Sequence, residues 1–334
     1  MRLTKFFLAL LVAVVWGTAS ARAAEPRIVL AVDGTHQPRN LPVLVAERLG
    51  YFKEAGLTVT LVDAPADPSI HQLLADGRVD GVAAYYHHTF ASQVEGKPLA
   101  KAVVIMGATP QLKLLVAERL HGQVRELADL AGRKIITGGI NSGKTTTMTM
   151  LAQRAGFGPS GYVRLPLGSR DDMAEAMRNG EADAIVVHEP DASFYLKSGA
   201  AFQLLEVMSV PGTRSVIGDV YPTTALYLPA AFIAARPAAV QGLVDACLKA
   251  MAWINARDAA EIVEVLPPKM VGEDRETFIR LLEEDRLAFA TDGRLSLPAA
   301  TTMLAAMTAL QPKYSNVRIE DTFTNAFVDK AAGR

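Results

Sequence analysis

The sequence predicts an α/β protein of two similar lobes, each a mostly parallel sheet flanked by helices, joined by two hinge strands. Three observations predict it. Short apolar runs alternate with segments of helical apolar spacing, the order that builds parallel sheets. A weak internal repeat relates the first part of the chain to its middle. Two segments, Gly107 to Lys113 and Asp219 to Ala225, break the alternation where a chain would cross between lobes.

The first element is not part of the fold. Arg2 and Lys5 precede an apolar run from Phe6 to Trp16, and Ala21 and Ala23 supply the small residues of an Ala-x-Ala site. This order reads as an export signal over residues 1–23, and the run is too short for a spanning helix. No Cys stands at the cleavage site, so lipid anchoring there is not indicated. Removing Arg2, Lys5 and Arg22 leaves 31 basic against 35 acidic residues, a net charge near −4 that gives no support for nucleic-acid binding. Half of the residues are hydrophobic, enough for a large core. Cys247 is the single cysteine and sits on an apolar helical face, so it reads as a small buried hydrophobe and no internal disulfide can form.

Ile28 to Val32 reads as a buried strand running into Asp33-Gly34. Leu41, Leu44, Val45 and Leu49 recur at helical spacing, and Gly50 stops that helix. Thr58 to Val62 is a second strand, Ile70 to Leu74 a short helix closed by Gly77, and Val79 to Tyr85 a third strand. The repeat then appears: Leu74 to Val82 resembles Met177 to Ile185, each reading helix, Gly cap, Asp, buried strand. Ile28 to Gly34 has its counterpart in Lys134 to Gly139. After Pro229 the chain is almost wholly helical. With both crossings, one lobe comprises residues 25–109 plus 223–334 and the other residues 110–222.

These residues resemble a known family. Leu41 to Val62, and above all Gly50 to Leu57 (GYFKEAGL), is similar to the first helix and second strand of periplasmic binding proteins for nitrate, alkanesulfonates, taurine and thiamine-pyrimidine precursors. Leu127 to Ile135 resembles that family's entry to its second lobe. Gly180 to Ala184 with His188-Glu189-Pro190 resembles its G-x-x-D-A and x-E-P segment, and Tyr221 to Thr224 its return hinge. The resemblance implies a type II periplasmic binding protein, a periplasmic location, capture of a small ligand between the lobes, and an ABC permease complex as partner. It implies no catalytic step; no cofactor and a monomer are expected, and the lack of a ligand-spacing motif among the histidines argues against a resident metal. Some relatives of the family make the thiamine pyrimidine and carry a catalytic His with a Cys-rich motif; the cluster is missing from this sequence. A sensor that presents ligand to a receptor is a further alternative.

Gly138 to Thr145 satisfies G-x-x-x-x-G-K-T between a strand and a helix, the context of a P-loop. In an exported chain nucleotide hydrolysis is set aside, but a Gly-rich turn feeding a helix start still presents N–H groups to an anion. Asn141, Ser142, Gly143, Lys144 and Thr145 are therefore candidate ligand contacts, with Ser142 and Thr145 favoured as direct donors. Strand-end loops face the crevice in such sheets. Thr35, His36 and Asn40 join the candidates on that rule, as do Tyr85, Tyr86, His87, His88, His188 and Glu189. Strand alternation places one of Tyr85 and Tyr86, and one of His87 and His88, toward the cleft. The ligand expected is a small organic anion or heteroaromatic compound.

Cleavage is expected after Ala23, with Ala24 the next choice. N-terminal sequencing of exported material checks it, and a chain beginning at Met1 would refute it.

Overall fold

The computed structural model describes residues 27–35, 37–64, 70–140 and 142–334; the segment read as an export signal, His36 and Asn141 lie outside them. Among the described residues ten strands follow one another as β1 (Arg27–Val32), β2 (Thr58–Asp63), β3 (Gly81–Tyr85), β4 (Ala100–Ile105), β5 (Leu112–Ala117), β6 (Lys134–Ile136), β7 (Val163–Leu165), β8 (Ala184–Val187), β9 (Ala201–Val207) and β10 (Thr224–Pro229). They form two sheets of five, ordered β2-β1-β3-β10-β4 and β7-β6-β8-β5-β9. The two orders are the same pattern used twice.

Each sheet is mixed rather than simply parallel, for one reason. β1, β2 and β3 pair in parallel, as do β6, β7 and β8. β10 is antiparallel to both its neighbours, and so is β5. These are the strands reached directly from the other sheet. A chain arriving from that side meets the sheet at the carboxyl ends of its strands and must run the opposite way. Four strands in each sheet therefore share one direction, and the fifth is the incoming crossing.

The internal repeat has a structural counterpart. Asp80 N–H donates to the Val29 carbonyl at 2.8 Å, and Val29 N–H donates to the Asp80 carboxylate at 2.8 Å. Asp183 does the same to Lys134, at 2.8 and 2.9 Å. In both units the helix before this Asp ends at a glycine of positive φ, Gly77 at 67° and Gly180 at 82°, a conformation side chains other than glycine rarely adopt. The Asp, just ahead of the central strand, pins the strand beside it.

The core is built from near-continuous apolar strands covered by helices, as expected where both faces are buried. Leu30, Val32, Val82 and Ala83 in one sheet are wholly buried, as are Leu115, Ala184 and Ile185 in the other. The Pro237–Asn255 helix covers the first sheet with Val240, Leu243, Val244, Cys247 and Met251. Burial pushes the Cys247 thiol up to about 12, in keeping with an inert hydrophobe. Late in the chain, the Leu297–Leu310 helix crosses to the second unit. Met303 and Met307 there share one cluster with Met148 and Leu151 of the Gly143–Arg154 helix. The two units thus have apolar contact away from the strand crossings.

The crossings run side by side. Tyr221 N–H donates to the Ala108 carbonyl and Thr223 N–H to the Gly107 carbonyl, each at 2.9 Å; Met106 N–H donates to Thr224 at 2.7 Å. The Thr223 hydroxyl adds a bond to the Thr109 carbonyl. A Cβ on Gly107 would lie 3.0 Å from the Thr224 backbone nitrogen and 3.2 Å from Thr223 Cβ. Gly107→Val should therefore cost about 1–3 kcal/mol through overpacking, read by urea denaturation. An unchanged midpoint would show that the crossings are not held this closely.

Candidate ligand cleft

The carboxyl ends of β1, β3 and β8 meet the crossings around a cavity of about 150 Å³. One wall is Gln37, Pro38, Arg39 and Tyr85; the other is His188 and Glu189. Pro110, Gln111 and Thr223 of the crossings form the floor, and Asp285 closes the rear. Both units thus contribute, at the strand ends where open α/β sheets hold ligands.

The first wall is organised by the turn after β1. Asn40 is fully buried, and its Nδ2 donates to the Asp33 carbonyl at 2.7 Å and the Gly34 carbonyl at 2.9 Å. This locks the Pro38–Asn40 turn and projects Arg39. The guanidinium pairs with Asp33 at 3.0 Å, meets Gln37 Oε1 at 3.2 Å and lies 5.2 Å from the centre of the Tyr85 ring. Tyr85 in turn covers the second unit. A Cβ on Gly143 would be only 3.6 Å from Tyr85 Cε1, so the ring lies over the glycine backbone at the start of the Gly143–Arg154 helix.

The second wall is electrostatically unusual. His188 Nδ1 lies 2.8 Å from the Gln111 carbonyl, which can only accept, so the proton sits on Nδ1. Burial and the nearby Lys144 and Arg39 charges pull the imidazole down to about 4 although the Gln111 bond opposes them, so it is neutral at pH 7. Glu189 is buried against Lys113 at 2.7 Å and also accepts from Ser193 N–H at 3.0 Å; these bonds outweigh its burial and hold it below the usual carboxylate range. Lys113 reaches Glu284 at 3.1 Å, and its carboxylate bonds outweigh its own burial, raising it above its ordinary value. Burial and the adjacent Glu284 push Asp285 up to about 7. Gln111 adopts φ 53°, alone among the described non-glycine residues in having positive φ, a strain of about 1–3 kcal/mol.

The candidates chosen from sequence divide accordingly. Tyr85, Gly143, His188 and Glu189 line cavities at the crossings. Tyr86 does not: it is fully buried and its hydroxyl meets Thr322 at 2.6 Å. Strand alternation fails for the histidines, because β3 stops at Tyr85 and a helix begins at His88. His87 is buried with its ring 5.5 Å from that of Tyr85. His88 turns to a separate small cavity, with Nδ1 3.4 Å from the Tyr227 hydroxyl. Thr35 is tied to the Asp63 carboxylate, its hydroxyl donating at 2.7 Å.

The expectation that Ser142 and Thr145 offer their hydroxyls to a ligand needs correction. Ser142 Oγ caps the helix by accepting from Thr145 N–H at 3.1 Å and donates to the Thr137 carbonyl at 2.9 Å. Thr145 is fully buried, with its hydroxyl against Thr137 Oγ1 and the Gly139 carbonyl, each at 2.9 Å. The loop spends these groups on its own turn, the ordinary N-cap economy. Lys144 remains, lowered by burial although Asp191 opposes this, and close enough to act on His188. His36 and Asn141 lie outside the described residues.

Arg39 and Gln111 fell within segments that sequence had marked as loop and crossing, but nothing distinguished them there. Asp285 carried no signal, since Glu283-Glu284-Asp285 reads as the solvated end of a helix. Among the described residues no group of three or more His, Cys, Asp or Glu is placed to hold a metal ion. No helix among them is long and apolar enough to cross a membrane.

The NMT1/THI5-like family profile matches residues 37–260, most of the chain and nearly every cleft residue. The chain belongs to the NMT1/THI5-like family. A solved protein from Bordetella bronchiseptica RB50 is 26% identical, with TM-score 0.70, covering 92% of this chain and 97% of that one. The periplasmic aliphatic sulphonate binding protein of Escherichia coli is 16% identical with TM-score 0.66, covering 90% of this chain and 92% of that one. The shared fold is that of two-lobed type II periplasmic binding proteins.

Curated relatives correct one expectation. A 4-amino-5-hydroxymethyl-2-methylpyrimidine phosphate synthase from Legionella pneumophila is 28% identical over 146 residues, 43% of this chain and 44% of that protein. One of the same name from Aspergillus parasiticus is 26% identical over 252 residues, 73% of this chain and 72% of that protein. The chain spans less than half the length of the Legionella relative it matches. With relatives named as enzymes, the expectation that this chain has no catalytic step does not stand.

Lys113→Met should cost about 3–5 kcal/mol at neutral pH by leaving Glu189 buried without its cation. Glu284→Gln, at a half-exposed partner, should cost less than about 1 kcal/mol. The Lys113→Met loss should shrink as pH falls and Glu189 takes a proton, because a carboxylate with a depressed pKa stabilises the fold only while ionised. Denaturation curves at neutral and acid pH check this, and equal losses for the two variants would refute it.

Proposed function

We propose that the chain is an exported solute-binding protein that captures a small organic anion or heteroaromatic compound between its lobes and delivers it to an ABC importer. The observation that carries the reading is a cavity walled by both units and floored by the two crossings. Contacts on both sides favour the closed arrangement over an open one, so binding drives closure. We take the lobes as residues 25–109 plus 223–334 and residues 110–222. The ring of the solute lies against Tyr85, and an anionic group lies between Arg39 and Lys144, the two cations that act on His188. The periplasm is the compartment that fits the export signal.

A second reading, chemistry on a bound pyrimidine, is favoured by the names of the curated relatives. Native mass spectrometry of protein purified without denaturation identifies the solute. Small-angle scattering should then show a more compact molecule with the solute than without it. Identical compactness at saturation would overturn the closure reading. Conversion of the solute during incubation would favour the second reading.

A further inference from the structure

Gln111 makes three connections from one strained position. Its N–H donates to the Val207 carbonyl at 3.1 Å, fixing it to β9 of the second unit. Its carbonyl accepts from His188 Nδ1. Its side-chain amide donates to Asp285 Oδ1 at 3.1 Å, at the end of the Arg275–Asp285 helix, which leads into the Arg286–Ala288 turn and the Ala290 to Met106 bond of the first unit. At φ 53° the carbonyl meets the imidazole while the side chain reaches Asp285. His188 Nε2 has no hydrogen-bond partner among the described residues.

We propose that Gln111 is the positioning residue of the cleft, holding His188 as the Nδ1–H tautomer so that its bare Nε2 selects a solute carrying an N–H or O–H donor. The proposal rests on the solute-binding reading and adds a requirement to it. A neutral imidazole with Nδ1 committed can only accept at Nε2. A carboxylate or sulfonate oxygen presented there would face a lone pair, so the anionic part of the solute belongs beside Arg39 and Lys144. Discrimination of this kind is strong, because a buried acceptor left unpaired is penalised. The charged groups around His188 are Lys144, Arg39 and its chain neighbour Glu189, the last paired with Lys113, with Asp285 and Glu284 near the far end of Gln111. Burial first, and then the two cations, keep the ring neutral, which preserves the acceptor.

The first readout needs no solute. Nitrogen-15 NMR of histidine-labelled protein at pH 7 should show His188 protonated at Nδ1 alone. Gln111→Gly relieves the strained φ but removes the amide that bonds both the Asp285 carboxylate and, at 3.3 Å, its carbonyl, and Asp285→Ala removes the carboxylate bond from the other end. Both should give a mixture of tautomers. An Nε2–H tautomer in the parent protein, or an unchanged Nδ1–H tautomer in both variants, would overturn the positioning role. The second readout uses benzamide, a ring with an N–H donor, and benzoate, a ring with acceptors only. Benzamide should shift the Nε2 resonance at least ten-fold more readily, in concentration, than benzoate. Preference for benzoate would overturn the selection while leaving cleft binding intact. If neither ring binds, both the selection and the cleft-binding reading fall, and the tautomer measurement judges Gln111 separately.

Discussion

The rest of the molecule is arranged around two antiparallel crossings hydrogen-bonded to each other. Gly107 and Ala108 accept from Thr223 and Tyr221, and Thr109 accepts from the Thr223 hydroxyl. The absence of a side chain at Gly107 lets them approach this closely. Because both of these crossings enter their sheet at the carboxyl ends of the parallel strands, each incoming strand must be antiparallel. The loops after β1, β3, β6 and β8 must then converge on the same place. The direction of β5 and β10, the mixed sheets and the position of the cavity are consequences of one connection.

The cavity is polar in an ordered way. Each buried charge in it is balanced: Glu189 by Lys113, Arg39 by Asp33, and Asp285 by hydrogen bonding to Gln111 together with a pKa raised to about 7. His188 is the group held neutral. Buried ionised groups are tolerated only when paired or hydrogen-bonded, so this network restricts what a solute can bring. On the proposed reading it brings a negative charge for the two cations and a donor for the imidazole. His188 and Asp285 respond to acid in opposite senses. The fold loses favour as His188 is forced to charge below about 6.5, and it loses favour as Asp285 ionises on the way up to about 7. Within that overlap the two effects offset each other.

The Gly-rich loop shows how a motif can be correct in form and different in use. It joins β6 to a helix, as a phosphate-binding loop does. Its hydroxyls nevertheless close on Thr137 and Gly139, and its glycine at 143 makes room for Tyr85 from the opposite wall. The spacing of residues dictates the turn, whereas the direction of each hydroxyl depends on which acceptor the neighbouring strand end places nearest.

Much of the fold was legible because it rests on local rules. Apolar runs, Gly caps and the recurring Gly-x-x-Asp are short-range signals, and the Asp80 and Asp183 clamps show that the repeat in the sequence is a repeat in space. Tyr85, His188 and Glu189 could be nominated because strand-end loops face a crevice in any such sheet. The choice between Tyr85 and Tyr86, and between His87 and His88, was not local, since β3 ends at Tyr85 and alternation stops with it. Arg39, Gln111 and Asp285 lie far apart in the chain and become one site only when the C-terminal helices pack back on the first unit. Sequence alone determined the alternation of strands and helices, the repeated half and the two segments at which the chain crosses between sheets. Tertiary structure alone decided which nitrogen of His188 is bare and which carboxylates share Lys113, because tautomer and charge state are set by neighbours that meet only in the folded chain.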